Sequence, residues 1–214
     1  MRRKNDKGGT MFKIIFILCL PLFIYAETVN VWEKIGKVYN VDPRLLYSIA
    51  KVESNHNQFV VAFNAKKMTA EQGERLQAFL NQNGIEGKMH SYVVSIRNKN
   101  KREAIKVVEF LYANDYPRFD MGMMQINSIH KPLLDKARIS FSDLFDPIVN
   151  IQVGAYVLAN CLQRHPNNHA DAINAYNGKI DNNPYSSKVL TEFKKLYGTY
   201  DNTTKRRKLV YRSP

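Results

Sequence analysis

The sequence predicts a mainly α (α+β) protein: a helical domain with a small α/β segment inserted into it. Three observations carry that reading. Asp42-Pro43 and Asp146-Pro147 each set an N-cap side chain ahead of a proline at the first helical position, where the missing N–H costs nothing. Behind both starts, apolar residues recur at helical spacing. A strand-like run, Tyr92-Val93-Val94-Ser95-Ile96, is found inside residues 65–118, and strand is expected only there. No internal repeat or low-complexity tract interrupts the chain, so residues 27–200 are read as one domain with a sizeable core.

The elements follow in order. Arg2, Arg3, Lys4, Lys7 and Lys13 precede the apolar run from Ile14 to Ile24, and Ala26 offers a small residue at a cleavage point. This is the pattern of a secretory signal over residues 1–26, too short to be a convincing membrane span. Met11 is an alternative start, and retention of the leader as an inner-membrane anchor is the alternative to its removal. The expected location is therefore periplasmic. Val31, Trp32, Ile35, Val38 and Tyr39 predict a first helix packed on the next. Leu45, Ile49 and Val52 give that next helix a buried face, and Asn55 and Asn57 mark its exit.

Within 65–118, Thr69-Ala70-Glu71-Gln72 reads as a capping box opening a helix that Gly84 closes. Asn100 with Glu103 caps another helix running to about Asn114. The segment is suited equally to a stabilising flap and to one wall of a groove. Asp120 to Asn127 reads as a turn-rich loop, in which Gly122 permits close approach of the backbone to a ligand. Gln125 and Asn127 carry amides suited to sugar N-acetyl and hydroxyl groups, and equally to a capped loop without a ligand. Ile148, Ile151, Ala155, Leu158 and Leu162 mark the buried stripe of a long helix. Ala170 to Asn177 is another helix, closed by Gly178, with Tyr176 in its last turn. Pro184 to Tyr197 is the last, packing through Val189, Leu190, Phe193 and Leu196.

Charge and cysteine content narrow the chemistry. The chain holds 32 Lys+Arg against 19 Asp+Glu. Removing the leader takes five basic residues and one acidic residue, and the remainder is still strongly basic. Such a surface suits a polyanion. Export argues against nucleic acid and towards a bacterial cell wall with its lactyl and peptide carboxylates. Part of the charge is the tail Lys205-Arg206-Arg207-Lys208, read as a solvated, disordered end over 201–214. Cys161 is the one cysteine left after processing, so no intramolecular disulfide forms, and its helical position makes it a core residue. The five histidines show no paired spacing on a helix, so no metal site is expected.

Glu53 is the candidate acid. It falls in the last turn of its helix, where the dipole presents its negative end and disfavours a carboxylate. Desolvation beside apolar neighbours raises its pKa further. A glycosidase acid must hold its proton near neutral pH, and this position suits one.

Four segments in this order resemble one family. They are Leu45 to Ser54 ending in Glu53-Ser54; Phe119-Asp120-Met121-Gly122-Met123-Met124-Gln125-Ile126-Asn127; Leu144-Phe145-Asp146-Pro147 with Asn150-Ile151 and Val153-Gly154-Ala155; and Ala175-Tyr176-Asn177-Gly178. The chain resembles the soluble, goose-lysozyme-like lytic transglycosylases over about 31–64 and 119–197. It looks closest to the small exported members that accompany type IV secretion and conjugation machines. It departs at Met123, where the family usually has Leu, and in the long 65–118 segment.

The resemblance implies a lysozyme-like fold and no cofactor. It implies glycan strands of peptidoglycan as substrate, with components of a secretion or conjugation machine as further partners, no nucleic acid, and a monomer. Glu53 becomes the sole acid/base, cleaving the MurNAc–GlcNAc bond without water to leave a 1,6-anhydro end. Ser54 orients its carboxyl, and the Tyr176 hydroxyl bonds to Glu53. Gln125, Met123 and Asn127 meet the substrate, and Asn177 supports that corner. A hydrolytic lysozyme, with Asp120 as second carboxylate, and a non-catalytic wall-binding assembly factor are the alternatives.

Overall fold

A computed structural model describes residues 31–198. The expected leader and basic tail lie outside them.

The chain begins with α1 (Val31–Tyr39) and α2 (Pro43–Ser54). Asp42 caps α2 by accepting from the Arg44 amide at 2.9 Å, with Pro43 at the first helical position. Leu45, Leu46 and Ile49 are fully buried. At roughly 2 kcal/mol for each buried aliphatic side chain, they seat the helix firmly. Trp32 of α1 meets Tyr47 edge to face at 5.4 Å. Asn55 ends α2 in the left-handed conformation, φ 57°.

Next come β1 (Val60–Asn64), α3 (Ala70–Asn83), β2 (Gly87–His90), β3 (Val93–Arg97) and α4 (Lys101–Ala113). The Thr69–Gln72 capping box forms, Gly84 closes α3 at φ 63°, and Asn100 accepts from the Glu103 amide. Then follow β4 (Phe119–Met121), β5 (Ile126–Asn127), α5 (Lys131–Lys136), α6 (Pro147–Arg164), α7 (His169–Tyr176) and α8 (Tyr185–Tyr197).

The strands form one antiparallel sheet in the order β2-β3-β1-β4-β5. Strand is therefore not confined to 65–118. Only the β2–β3 hairpin lies there; β1 precedes the segment, and β4 and β5 follow it. Val60 to Phe63 is a short apolar run whose period is ambiguous, and β4 and β5 are too short to show one. Pairing, not local pattern, makes these residues strand. Val61 opposes Ile96 and Met121, and Phe63 opposes Val94 and Phe119. All six are buried and anchor the sheet to the core. Because strand side chains alternate, Asp120 lies on the other face, opposite Ala62 and Asn127.

The helical stripes need small corrections. Val38 is 76% exposed, and Ile148 and Leu196 are also exposed, each at the end of its helix where the apolar face runs past its neighbours. Ile151, Ala155, Leu158 and Cys161 do line the buried side of α6. That side also holds a fully buried amide, Asn150.

Candidate active site

Glu53 leaves the C-terminal turn of α2 and is half-buried. Its Oε1 accepts a hydrogen bond from the Tyr185 hydroxyl at 2.5 Å. Burial pushes the Glu53 pKa from 4.5 up to about 7; the Tyr185 bond opposes the rise and the negative charge of Asp120 adds to it. Burial likewise pushes Asp120 up to about 6, opposed by the bond from Asn127. Burial, and then the negative charge of Glu53, raises the Tyr185 phenol well above 10, so it remains a proton donor across the working pH range. The pair thus offers a proton-holding acid at neutral pH with a more readily ionised carboxyl near it.

The loop between β4 and β5 is fastened to α6 by one side chain. Asn150 Oδ1 accepts from the Met124 amide at 2.7 Å, while Nδ2 donates to the carbonyls of Met121 at 3.0 Å and Leu144 at 2.8 Å. Gly122 makes this possible. Its φ is +75°, and a Cβ there would lie 2.3 Å from Asn150 Nδ2. The close approach expected at Gly122 is therefore to Asn150. Gly154, one turn along α6, leaves room for Met124: a Cβ there would sit 2.9 Å from the Met124 methyl.

Two expected partners of Glu53 hold this loop instead. Ser54 Oγ donates to the Met123 carbonyl at 2.8 Å; successive helical residues turn by about 100°, so Ser54 points in a different direction from Glu53. The Tyr176 hydroxyl donates to the Met124 carbonyl at 2.8 Å, satisfying an acceptor in the core. It stays within reach of the charges of Glu53 and Asp120, which add to the effect of burial in raising its pKa. The hydroxyl on Glu53 belongs to Tyr185, which enters from the first turn of α8.

The remaining candidates divide. Gln125 adopts a left-handed conformation, φ 49°, and its Nε2 donates to the Gly122 carbonyl at 2.8 Å. Met123 is partly buried against the core. Asn127 donates to Asp120 Oδ1 at 2.7 Å and accepts from the Ile129 amide, so its amide holds a carboxylate and caps a turn. Asn177 is exposed and accepts from Asn183. Sequence reasoning missed Tyr185, and it quoted Asn150 only within a matching stretch, without a role. A tyrosine directly after Pro184 and an asparagine inside an otherwise apolar helical face were the available signals.

A protonated carboxyl fixed by a phenol, near a second carboxylate and a rigid amide-bearing loop, can donate a proton to a bridging oxygen and take one back. Comparison with known proteins supplies the family. The family model for the transglycosylase SLT domain matches residues 30–188. A peptidoglycan-binding-like protein of Escherichia coli O157:H7 is 25% identical over 161 residues, covering 74% of this chain and 68% of that protein. Invasion protein IagB of Salmonella typhimurium, in two strains, is 33% identical over 86 residues, 37% of this chain. That match spans about half of IagB, 53% of its length.

Proposed function

The chain belongs to the transglycosylase SLT domain family, and from that premise we propose that it cleaves the β-1,4 bond between N-acetylmuramic acid and N-acetylglucosamine in peptidoglycan without water. Glu53 carries the reading: an acid held near neutrality by burial and positioned by Tyr185. It protonates the bridging oxygen as the C1–O bond breaks. The resulting carboxylate accepts the proton of the muramic C6 hydroxyl, whose oxygen closes on C1 and leaves a 1,6-anhydro end. The attacking oxygen belongs to the substrate, so proximity replaces the second carboxylate that ordinary glycosidases need. Gln125 and Met123 meet the sugar beside the cleaved bond.

The protein acts in the periplasm, delivered by the residue 1–26 leader, and opens the wall locally around a secretion or conjugation apparatus. Three features support this setting: the leader pattern, the basic charge, and likeness to a protein named for invasion. The direct test is release of soluble fragments from purified sacculi. The wild-type protein is expected to release them, whereas Glu53→Gln is not; equal release by both would remove Glu53 from the chemistry.

A second reading rests on Asp120. Its side chain lies on the sheet face opposite that of Val61 and Met121, and its charge reaches Glu53. Two carboxyl groups across a glycosidic bond are the equipment of a hydrolase. Under that reading Asp120 stabilises or attacks C1, and water ends the reaction.

A further inference from the structure

Tyr185 carries the hydroxyl that meets Glu53, so the placement of the first turn of α8 governs where the acid is held. That turn has no cap of its own: α8 begins behind Pro184, whose side chain makes no capping bond. The leading amides of a helix lack partners within it. Two asparagines outside α8 supply them. Asn183 Oδ1 accepts from the Tyr185 amide at 3.0 Å, and Asn174 Oδ1 accepts from the Ser186 amide at 2.7 Å.

The two caps differ in what anchors them. Asn183 donates to the Lys179 carbonyl at 2.6 Å, which ties α8 only to the connection just before it. Asn174 is 7% exposed and belongs to α7. Its Nδ2 donates to the Ile180 carbonyl at 3.4 Å, and its own carbonyl accepts from the Lys179 amide at 3.3 Å. Two residues further along α7, Tyr176 holds the Met124 carbonyl. The loop between β4 and β5 and the phenol on the acid are thus both fastened to one helix.

We propose that Asn174 is a positioning residue, capping α8 from α7 and thereby keeping the Tyr185 hydroxyl on Glu53. It acts through Tyr185 and not on the bond broken. The proposal rests on the reading of Glu53 as the acid and deepens it.

The test follows the ionisation of Glu53 by carbon-13 NMR of the full chain, with release from sacculi measured beside it. Tyr185 from α8, Asp120 from β4 and Tyr176 from α7 are the titratable groups that act on Glu53. Asn174→Ala alters none of their charges, so a moved titration reports where the Tyr185 hydroxyl lies. The substitution should raise the Glu53 pKa, by no more than Tyr185→Phe does, and slow the plateau rate of release about fivefold to tenfold. In a Tyr185→Phe background it should add nothing to either readout. Asn174→Asp keeps the acceptor, at a helix N-terminus that favours a carboxylate, and should restore the plateau to within about threefold of the wild type.

A merely structural role predicts a lower melting temperature with the Glu53 titration unmoved, or losses that add to those of Tyr185→Phe; either result overturns the proposal. So does a folded Asn174→Asp as slow as Tyr185→Phe, and that result stands even if the alanine variant does not fold. The titration needs no turnover, so a wild type that releases nothing from sacculi would overturn the catalytic reading alone.

Discussion

Tyr185 donates its hydroxyl to Glu53 across 132 residues of sequence, joining the last turn of α2 to the first turn of α8 at 2.5 Å. The packing of these two helices sets where the acid points. The same bond favours the ionised carboxyl, and burial outweighs it, so the acid rests near pH 7.

Tyr185→Phe removes that donor. The Glu53 pKa then rises, so the alkaline limb of the pH–rate profile is expected to move to higher pH. The plateau rate should fall roughly 10- to 100-fold as the carboxyl loses its fixed orientation. Tyr176→Phe should leave the limb in place and cost about 1 kcal/mol of stability, through the Met124 carbonyl it abandons. Matched pH profiles of the two variants check the assignment; a limb that moves only in Tyr176→Phe would reverse it.

Glu53→Gln is expected to lower the rate at least about a hundredfold and to stabilise the fold at alkaline pH. The carboxyl titrates near 4.5 when unfolded and near 7 when folded. Ionisation therefore destabilises the native state as pH rises between those values, with no further change above. The variant should match the wild type near pH 4 and exceed it by up to about 3 kcal/mol at pH 8. Thermal melts at the two pH values measure this, and a variant no more stable at pH 8 would contradict the burial of the charge.

Asn150→Ala strands the Met124 amide and the carbonyls of Met121 and Leu144 in the core. A loss of about 3 kcal/mol or more is expected. Gly122→Ala should be similarly harmful, since its Cβ meets the same amide and its φ is left-handed. Denaturant titration reads both; a loss below about 1 kcal/mol in each would mean that the loop is held some other way.

Much of this was legible in the chain because it is written locally. Asp42-Pro43, Asp146-Pro147 and the Thr69–Gln72 box are caps whose partners lie within three residues, and the elements start where they indicate. Glu53 was legible for the same reason: helix end and apolar neighbours are both near it in sequence. β4 and β5 were not, since strands of three and two residues exist only through pairing with β1 and with each other. Nor were the roles of Ser54 and Tyr176. Their residue types fit a hydroxyl on Glu53, and only tertiary packing shows that Met123 and Met124 claim them. The role of Asn150 was hidden, because its place in an apolar stripe marks it as unusual without showing what it will bond.

Asp120→Asn separates the two mechanisms by rate. It removes the negative neighbour that raises Glu53, so the alkaline limb should shift to lower pH. If the substrate supplies its own nucleophile, the plateau should hold within about tenfold. Loss of roughly a hundredfold or more would mark Asp120 as a participant.

The most direct measurement is mass spectrometry of fragments released from peptidoglycan in water enriched in oxygen-18. The account predicts ends of 1,6-anhydro-muramic acid, one water lighter than reducing ends and free of the label. Reducing ends that carry the label would show that water attacks C1, and the non-hydrolytic mechanism would be wrong.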